Sequence, residues 1–128
     1  MQTIISTLAG LFILATTAAA DEQTLTATQI RALLSGNTAI GHWIDHNYRQ
    51  YFDETGSTIY AQENTRSAVG RWRVNTETHQ YESWWEQSGW GSGYNIVLKD
   101  GTYYWIGGGA SQPQPFTVET GQKLVAPD

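Results

Sequence analysis

The fold is decided by residues 81–105, which read YESWWEQSGWGSGYNIVLKDGTYYW. Within this stretch, Asp100-Gly101 separates two runs that are rich in β-branched and aromatic residues. This dipeptide favours a two-residue β-hairpin turn in which both residues have positive φ. The predicted register places Lys99 opposite Thr102 and Ile96 opposite Trp105. Because both faces of this hairpin carry apolar side chains, both are covered or one presents an aromatic surface to a partner.

The rest of the chain after residue 37 also alternates between apolar and polar residues with a period of two. Short strands separated by turn-like segments predict a mainly β protein, an antiparallel meander that forms either a small barrel or a curved sheet. One short N-terminal helix is predicted at residues 26–36, with Thr24 or Thr26 as its N-cap. The predicted strands, including the two of the hairpin, span residues 38–44, 48–53, 57–62, 68–74, 80–85, 94–99 and 102–106.

The two ends of the chain carry weaker signals. Residues 1–20 combine an apolar core with Ala18-Ala19-Ala20, a pattern typical of a signal peptide. No Lys or Arg precedes the core, and the alternative is an uncleaved membrane anchor. Residues 21–128 are then a single β-rich domain, periplasmic or secreted, with no stable membrane insertion after signal removal. Residues 107–115 are predicted to be a loop, and residues 116–128 a terminal hairpin or a loose tail.

Composition excludes several classes of function. The chain has no cysteine, so disulfides, thiol catalysis and cysteine metal sites are ruled out. The net charge of −5 gives the domain no electrostatic footprint for nucleic acid. Its stability must come from packing, and six tryptophans and seven tyrosines supply large apolar surfaces for it.

Four short motifs lie along the chain: Leu33-Leu34-Ser35-Gly36-Asn37-Thr38, Tyr51-Phe52 with Gly56, Gly70-Arg71-Trp72-Arg73-Val74, and Tyr81 with Trp84. Together they resemble a known family of small exported proteins of unknown function from alphaproteobacteria. The resemblance implies a periplasmic β-rich domain and carries no established activity or catalytic residues. Family members often have a cysteine directly after the tyrosine that Tyr81 matches, and a second one several residues later. Here Glu82 follows Tyr81, so that cross-link is absent.

Surplus aromatic residues predict a ligand-binding surface. Trp84 and Trp85 are adjacent, so on a strand they face opposite sides and one of them lies away from the main core. Trp90 lies in a segment of Gly and Ser, where an aromatic ring is free to stack on a ligand or anchors its own loop. The two arginines at the outward positions of residues 68–74 are expected either to contact an anionic group of the ligand or to pair with Glu63 or Glu82. The candidate binding residues are Trp84, Trp85, Trp90, Trp105, Arg71 and Arg73.

Two kinds of catalytic site are weaker hypotheses. In an extended segment His42 and His46 point to one side, which makes them candidate metal ligands with Asp45 nearby, although zinc needs at least three. Glu82 and Glu86 flank the Trp84-Trp85 pair, and paired carboxylates are typical of glycoside hydrolysis. The alternative for the histidines is that they are solvated side chains near a turn. The alternative for the glutamates is that they lie on a solvated strand face.

These observations favour an exported, non-enzymatic β-domain without a cofactor. It is expected to bind a small or extended ligand, a glycan or an envelope component through its aromatic surface. The first alternative is a structural or inhibitory envelope protein that binds another protein through an exposed strand edge. The second is a small metal-dependent or carboxylate hydrolase.

Overall fold

A computed structural model of the protein describes residues 22–124, and the predicted signal peptide lies outside the described residues. The described part is mainly β, with one short helix, which confirms the predicted fold class. No helix of this part has the length and apolar character needed to cross a membrane. The elements are β1 (Glu22–Thr24), α1 (Ala27–Leu34), β2 (Asn37–Trp43), β3 (His46–Phe52), β4 (Ser57–Gln62), β5 (Ala68–Asn75), β6 (Gln80–Trp85), β7 (Gly89–Trp90), β8 (Tyr94–Lys99), β9 (Thr102–Gly107) and β10 (Gln114–Thr120).

The sheet closes into an antiparallel barrel of eight strands. Strands β2 to β6 pair in sequence, β8 pairs with β9, and β10 lies between β9 and β2. The barrel is closed by the pairing of β6 with β8, where Tyr81 lies opposite Tyr94. Strand β1 occupies another part of the β8 edge, with Thr24 opposite Val97. Of the two predicted architectures, the structure is therefore the barrel.

The predicted Asp-Gly hairpin is confirmed in register and in turn geometry. Lys99 lies opposite Thr102, and Ile96 lies opposite Trp105. Asp100 and Gly101 have φ of 51° and 82°, the left-handed values that this turn requires. Ile96 and Trp105 are both buried. Both faces of the hairpin are at least partly covered, because its outward apolar side chains, such as Val97, are also partly or fully buried.

The C-terminal region differs from the prediction. Residues 114 and 115 belong to β10 rather than to the predicted loop, and β10 pairs with β9 and β2 instead of folding back as a terminal hairpin. Its pairing with β2 aligns Val118 with Ala39, a contact between residues far apart in sequence. The preceding residues carry only turn signals, so this non-local pairing was missed. Residues 125–128 lie outside the described residues.

Helix α1 seals one end of the barrel, which we call the closed end. Thr26 caps the helix: its Oγ1 accepts from the Gln29 backbone amide at 3.2 Å, while Gln29 Oε1 accepts from the Thr26 amide at 2.8 Å. The Ala27 amide donates to His79 Nδ1 at 2.8 Å, which ties the helix start to the β5–β6 turn. Ile30 and Leu34 are 0% exposed within the core. The closed end is thus filled by apolar packing.

Candidate ligand-binding site

The end of the barrel opposite α1, which we call the open end, contains a cavity of about 330 Å³. This volume is at the lower limit of the range typical of small-molecule sites. Eight-stranded barrels are wide enough to hold one small ligand when side chains do not fill them. Seven of the eleven lining residues are aromatic. The lining consists of Trp43, Tyr48, Gln50, Tyr60, Ala68, Tyr81, Ser83, Trp85, Gln87, Tyr94 and Trp105.

The period of two along each strand directs these side chains inward. In β3 the buried residues are Tyr48, Gln50 and Phe52, of which the first two line the cavity. In β6 the same alternation brings Tyr81, Ser83 and Trp85 to the interior. The strands therefore supply the cavity wall without a contribution from α1.

Gly70 of β5 makes room for the Trp85 ring. A Cβ atom at residue 70 would meet the backbone oxygen of Trp84 and would lie only 2.6 Å and 2.8 Å from Cε3 and Cζ3 of Trp85. Since real side chains do not approach so closely, only glycine allows this ring position without a shift. Trp85 is further fixed by its Nε1, which donates to Ser83 Oγ at 3.1 Å. This part of the cavity wall is thus held by close packing and a hydrogen bond.

Aromatic contacts hold the rest of the wall. The rings of Tyr48 and Tyr60 stack with 5.4 Å between their centroids and 15° between their planes. Trp105 Nε1 donates to the Tyr48 hydroxyl at 2.9 Å. Tyr94 contacts Trp105 edge-on at 5.7 Å. The wall consists of rings that hold each other in place, which favours a preformed site.

The cavity is electrically neutral. Burial raises the pKa of Tyr48 to about 12, in spite of the opposing effect of the hydrogen bond from Trp105. Burial also raises the pKa of Tyr60, Tyr81 and Tyr94. These hydroxyls therefore stay protonated at physiological pH, and no Asp, Glu, Lys or Arg is among the lining residues within 22–124. An unpaired charge is costly in such surroundings, so the cavity suits an uncharged molecule.

A histidine stands beside the cavity wall. His46 Nε2 lies 2.7 Å from the Tyr60 hydroxyl, and its Nδ1 lies 2.9 Å from Asp45 Oδ1. The hydrogen bond with His46 holds the pKa of the Asp45 carboxyl below its ordinary value. The His46 ring orients the Tyr60 hydroxyl and, through Asp45, links it to the β2–β3 turn.

The candidate binding residues divide between two sides of the sheet. Trp85 and Trp105 line the cavity. The other four lie on the outer wall, which we define as the outward side chains of β5, β6 and β7. There the Arg71 guanidinium lies 4.8 Å from the Trp84 ring centroid. The structure thus does not assemble the single aromatic surface that the sequence predicts.

The outer wall pairs its own polar and aromatic groups. The Arg73 guanidinium lies 3.8 Å from the Trp90 ring centroid, and its Nε donates to Glu82 Oε1 at 2.7 Å. Trp90 belongs to β7 and lies opposite Trp84, so it is not on an unpaired glycine loop. The Trp90 residue is still 38% exposed. The predicted pairing of an outward arginine with Glu82 is present.

The two candidate metal ligands do not converge. The chain turns at Ile44 and Asp45, so His42 ends up opposite Asn47 on the neighbouring strand rather than in line with His46. His42 is exposed and bonds Asn47 Oδ1 at 2.9 Å. The expectation that both imidazoles share one side is wrong, because a hairpin replaces the extended segment. Within residues 22–124, no group of three His, Asp or Glu side chains could hold a metal ion.

The paired carboxylates lie away from the cavity. Glu82 is on the outer wall beside Arg73, which lowers the pKa of its carboxyl through a hydrogen bond. Glu86 is exposed in the turn after β6. Neither side chain faces a concave site.

Several lining residues were not recognised from the sequence, although the predicted strands contain them. Tyr48 and Gln50 alternate with Phe52, which indicated an inward face. A glutamine on a core-facing position is unusual, because polar residues are rarely buried without a partner. That residue was the available signal for an internal site.

The chain was compared with protein-family models, with curated proteins and with solved structures, and none of them matches it. Membership of the family that the motifs resemble therefore stays a prediction.

Proposed function

We propose that the protein binds a small, uncharged ring compound inside the open end of the barrel. The observation that carries this proposal is the neutral cavity of about 330 Å³ with seven aromatic side chains in its lining. Aromatic rings offer large, rigid contact surfaces at little conformational cost. The proposal keeps the idea of aromatic binding but moves it from the outer wall to the interior. It also keeps the predicted export of the domain.

The other functional hypotheses find less support. A carboxylate hydrolase would need acidic groups at the site where the substrate binds. Glu82 and Glu86 are outside the cavity, so its lining offers a ligand contacts rather than acid–base catalysis. A binding partner on the outer wall would compete with the contacts that Arg71 and Arg73 make with Trp84 and Trp90. Binding within the barrel requires no such rearrangement.

Adjacent tryptophans allow a matched test. A panel of small uncharged compounds is screened for those that raise the melting temperature, and the affinity of each hit is measured by calorimetry. Trp85→Ala removes a cavity ring and is expected to weaken binding about tenfold to a hundredfold. Trp84→Ala removes the neighbouring ring on the outer wall and is expected to leave the affinity unchanged.

Circular dichroism of both variants verifies that the barrel persists. The proposal fails if no compound in the panel binds, or if Trp84→Ala weakens binding as much as Trp85→Ala does. The second result would return the site to the outer wall.

A further inference from the structure

Gln50 is the most unusual residue of the cavity. Its side chain lies among aromatic rings, and the residue is only 6% exposed. Burying an amide in such surroundings is unfavourable unless its oxygen and nitrogen both find hydrogen-bond partners. The partners of these two atoms therefore show whether the cavity is complete without a ligand.

The orientation of the Gln50 amide is fixed by its neighbour Thr58. The Thr58 hydroxyl donates its only proton to the Tyr51 carbonyl oxygen at 2.8 Å, and that oxygen can only accept. Thr58 Oγ1 must therefore accept from the Gln50 atom that lies 2.9 Å away. That atom is Nε2, because a carbonyl oxygen has no proton to donate. The usual ambiguity between the two ends of the amide is thus removed.

Both protons of the amide nitrogen are used within the protein. Nε2 donates one proton to Thr58 Oγ1 and the other to the Tyr81 hydroxyl, each at 2.9 Å. Within residues 22–124, no hydrogen bond is made to Gln50 Oε1. A buried acceptor of the aromatic cavity thus has no partner among the protein groups of residues 22–124. Such an atom strongly favours a ligand that donates a proton to it over one that does not.

We infer that the cavity selects uncharged flat ring compounds that carry an N–H or O–H group, which donates a hydrogen bond to Gln50 Oε1. Compounds of this class include indoles and phenols. The aromatic wall binds the ring, and Gln50 selects for the donor. This inference rests on the proposed function, since it specifies the ligand of the same cavity.

The direct test compares two ligands on the wild-type protein. Indole and benzofuran have nearly the same shape, but an oxygen replaces the N–H group in benzofuran. Calorimetric titration is expected to give indole about tenfold higher affinity, which corresponds to about 1.4 kcal/mol. Phenol and anisole provide a second pair, although anisole is also larger by a methyl group.

A variant then assigns the preference to Gln50. In Gln50→Leu the preference for indole over benzofuran is expected to fall from about tenfold to near equality, because the acceptor is gone. Gln87→Leu makes the same chemical change at an exposed lining residue and is expected to keep the preference. If Gln50→Leu does not fold, the two ligand pairs on the wild-type protein still test the preference for a hydrogen-bond donor.

The outcomes separate this inference from the proposed function. Equal affinity for indole and benzofuran, or a preference that persists in Gln50→Leu, overturns the role of Gln50 while binding in the cavity stands. If none of the four compounds binds but another panel compound binds in a Trp85-dependent way, the inference alone fails. If nothing binds, both fail.

Discussion

The two ends of this barrel are built from the same eight strands but are completed in different ways. At the closed end, α1 inserts Ile30 and Leu34 into the interior, where both are fully buried. At the open end no helix of residues 22–124 enters, and the rings of the strands surround a cavity of about 330 Å³. The closed end has few polar groups inside, whereas Gln50 and Tyr48 bring polar atoms into the open end.

This difference indicates that the two ends contribute differently to stability and to ligand binding. Filled apolar volume stabilises a fold, whereas an unfilled cavity and a buried unpaired acceptor both lower its stability. A protein without disulfides has few other sources of stability with which to offset them. We therefore assign stability mainly to the closed end and ligand binding to the open end.

The largest effect is expected at the closed end. Leu34→Ala removes a side chain with no exposed surface and leaves a cavity, which should lower the free energy of unfolding by about 2–5 kcal/mol. Urea unfolding measures this change. Thr28→Ala, on the exposed face of the same helix, is the control and should stay within about 0.5 kcal/mol of wild type. If the two variants are equally stable, α1 does not seal the barrel.

A moderate effect is expected at the wall of the open end. Gly70→Ala places a methyl group against the Trp84 carbonyl oxygen and the Trp85 ring, which should destabilise the fold by about 1–3 kcal/mol and displace that ring. The control is Gly91→Ala, since a Cβ at residue 91 would meet no atom within 4 Å. Thermal unfolding of the two variants, with ligand titration of each, measures both consequences. Equal stability would mean that Trp85 does not pack over Gly70.

The smallest effect is expected on the outer wall, which belongs to neither end. Arg73 lowers the pKa of Glu82 below its ordinary value of 4.5, so the pair stabilises the folded state above about that pH. This contribution is lost as the pH falls through the lowered pKa. Because Arg73 is half exposed, Glu82→Gln should lower stability by at most about 1 kcal/mol at pH 7.

The pH dependence is the informative part of this comparison. Denaturant unfolding between pH 7 and pH 3 should show the wild-type protein and Glu82→Gln converging as the pH falls below 4.5. A difference that stays constant across this range would mean that the ion pair is not its cause.

Local sequence patterns predicted most of the barrel wall. The turn at Asp100-Gly101 depends only on backbone conformation and adjacent residues, so its register was correct. The alternation in residues 68–74 correctly placed Trp72 inward and Arg71 outward. The sequence did not decide between a closed barrel and a curved sheet, because the pairing of Tyr81 with Tyr94 is a tertiary contact that no local pattern specifies.

The site was harder to predict than the wall. Adjacent tryptophans do face opposite sides, but the sequence did not reveal that Trp85 points into a cavity while Trp84 stacks on an arginine. His42 and His46 were predicted to lie on one side because residues 42–46 were treated as extended, although a turn was predicted between residues 44 and 48. The chain instead turns at Ile44, with its φ of 53°, and Asp45, which puts Trp43 opposite His46. The cavity itself depends on the space that α1 leaves unfilled, which is a property of the packed fold.

The most direct test of the account follows the six tryptophan indole N–H signals by NMR while indole is added. Signals are assigned with single Trp→Phe variants. Binding at the open end predicts shifts for the three cavity residues, Trp43, Trp85 and Trp105, and little change for Trp72, Trp84 and Trp90. Shifts of Trp84 and Trp90 without shifts of Trp85 and Trp105 would place the ligand on the outer wall and contradict the account.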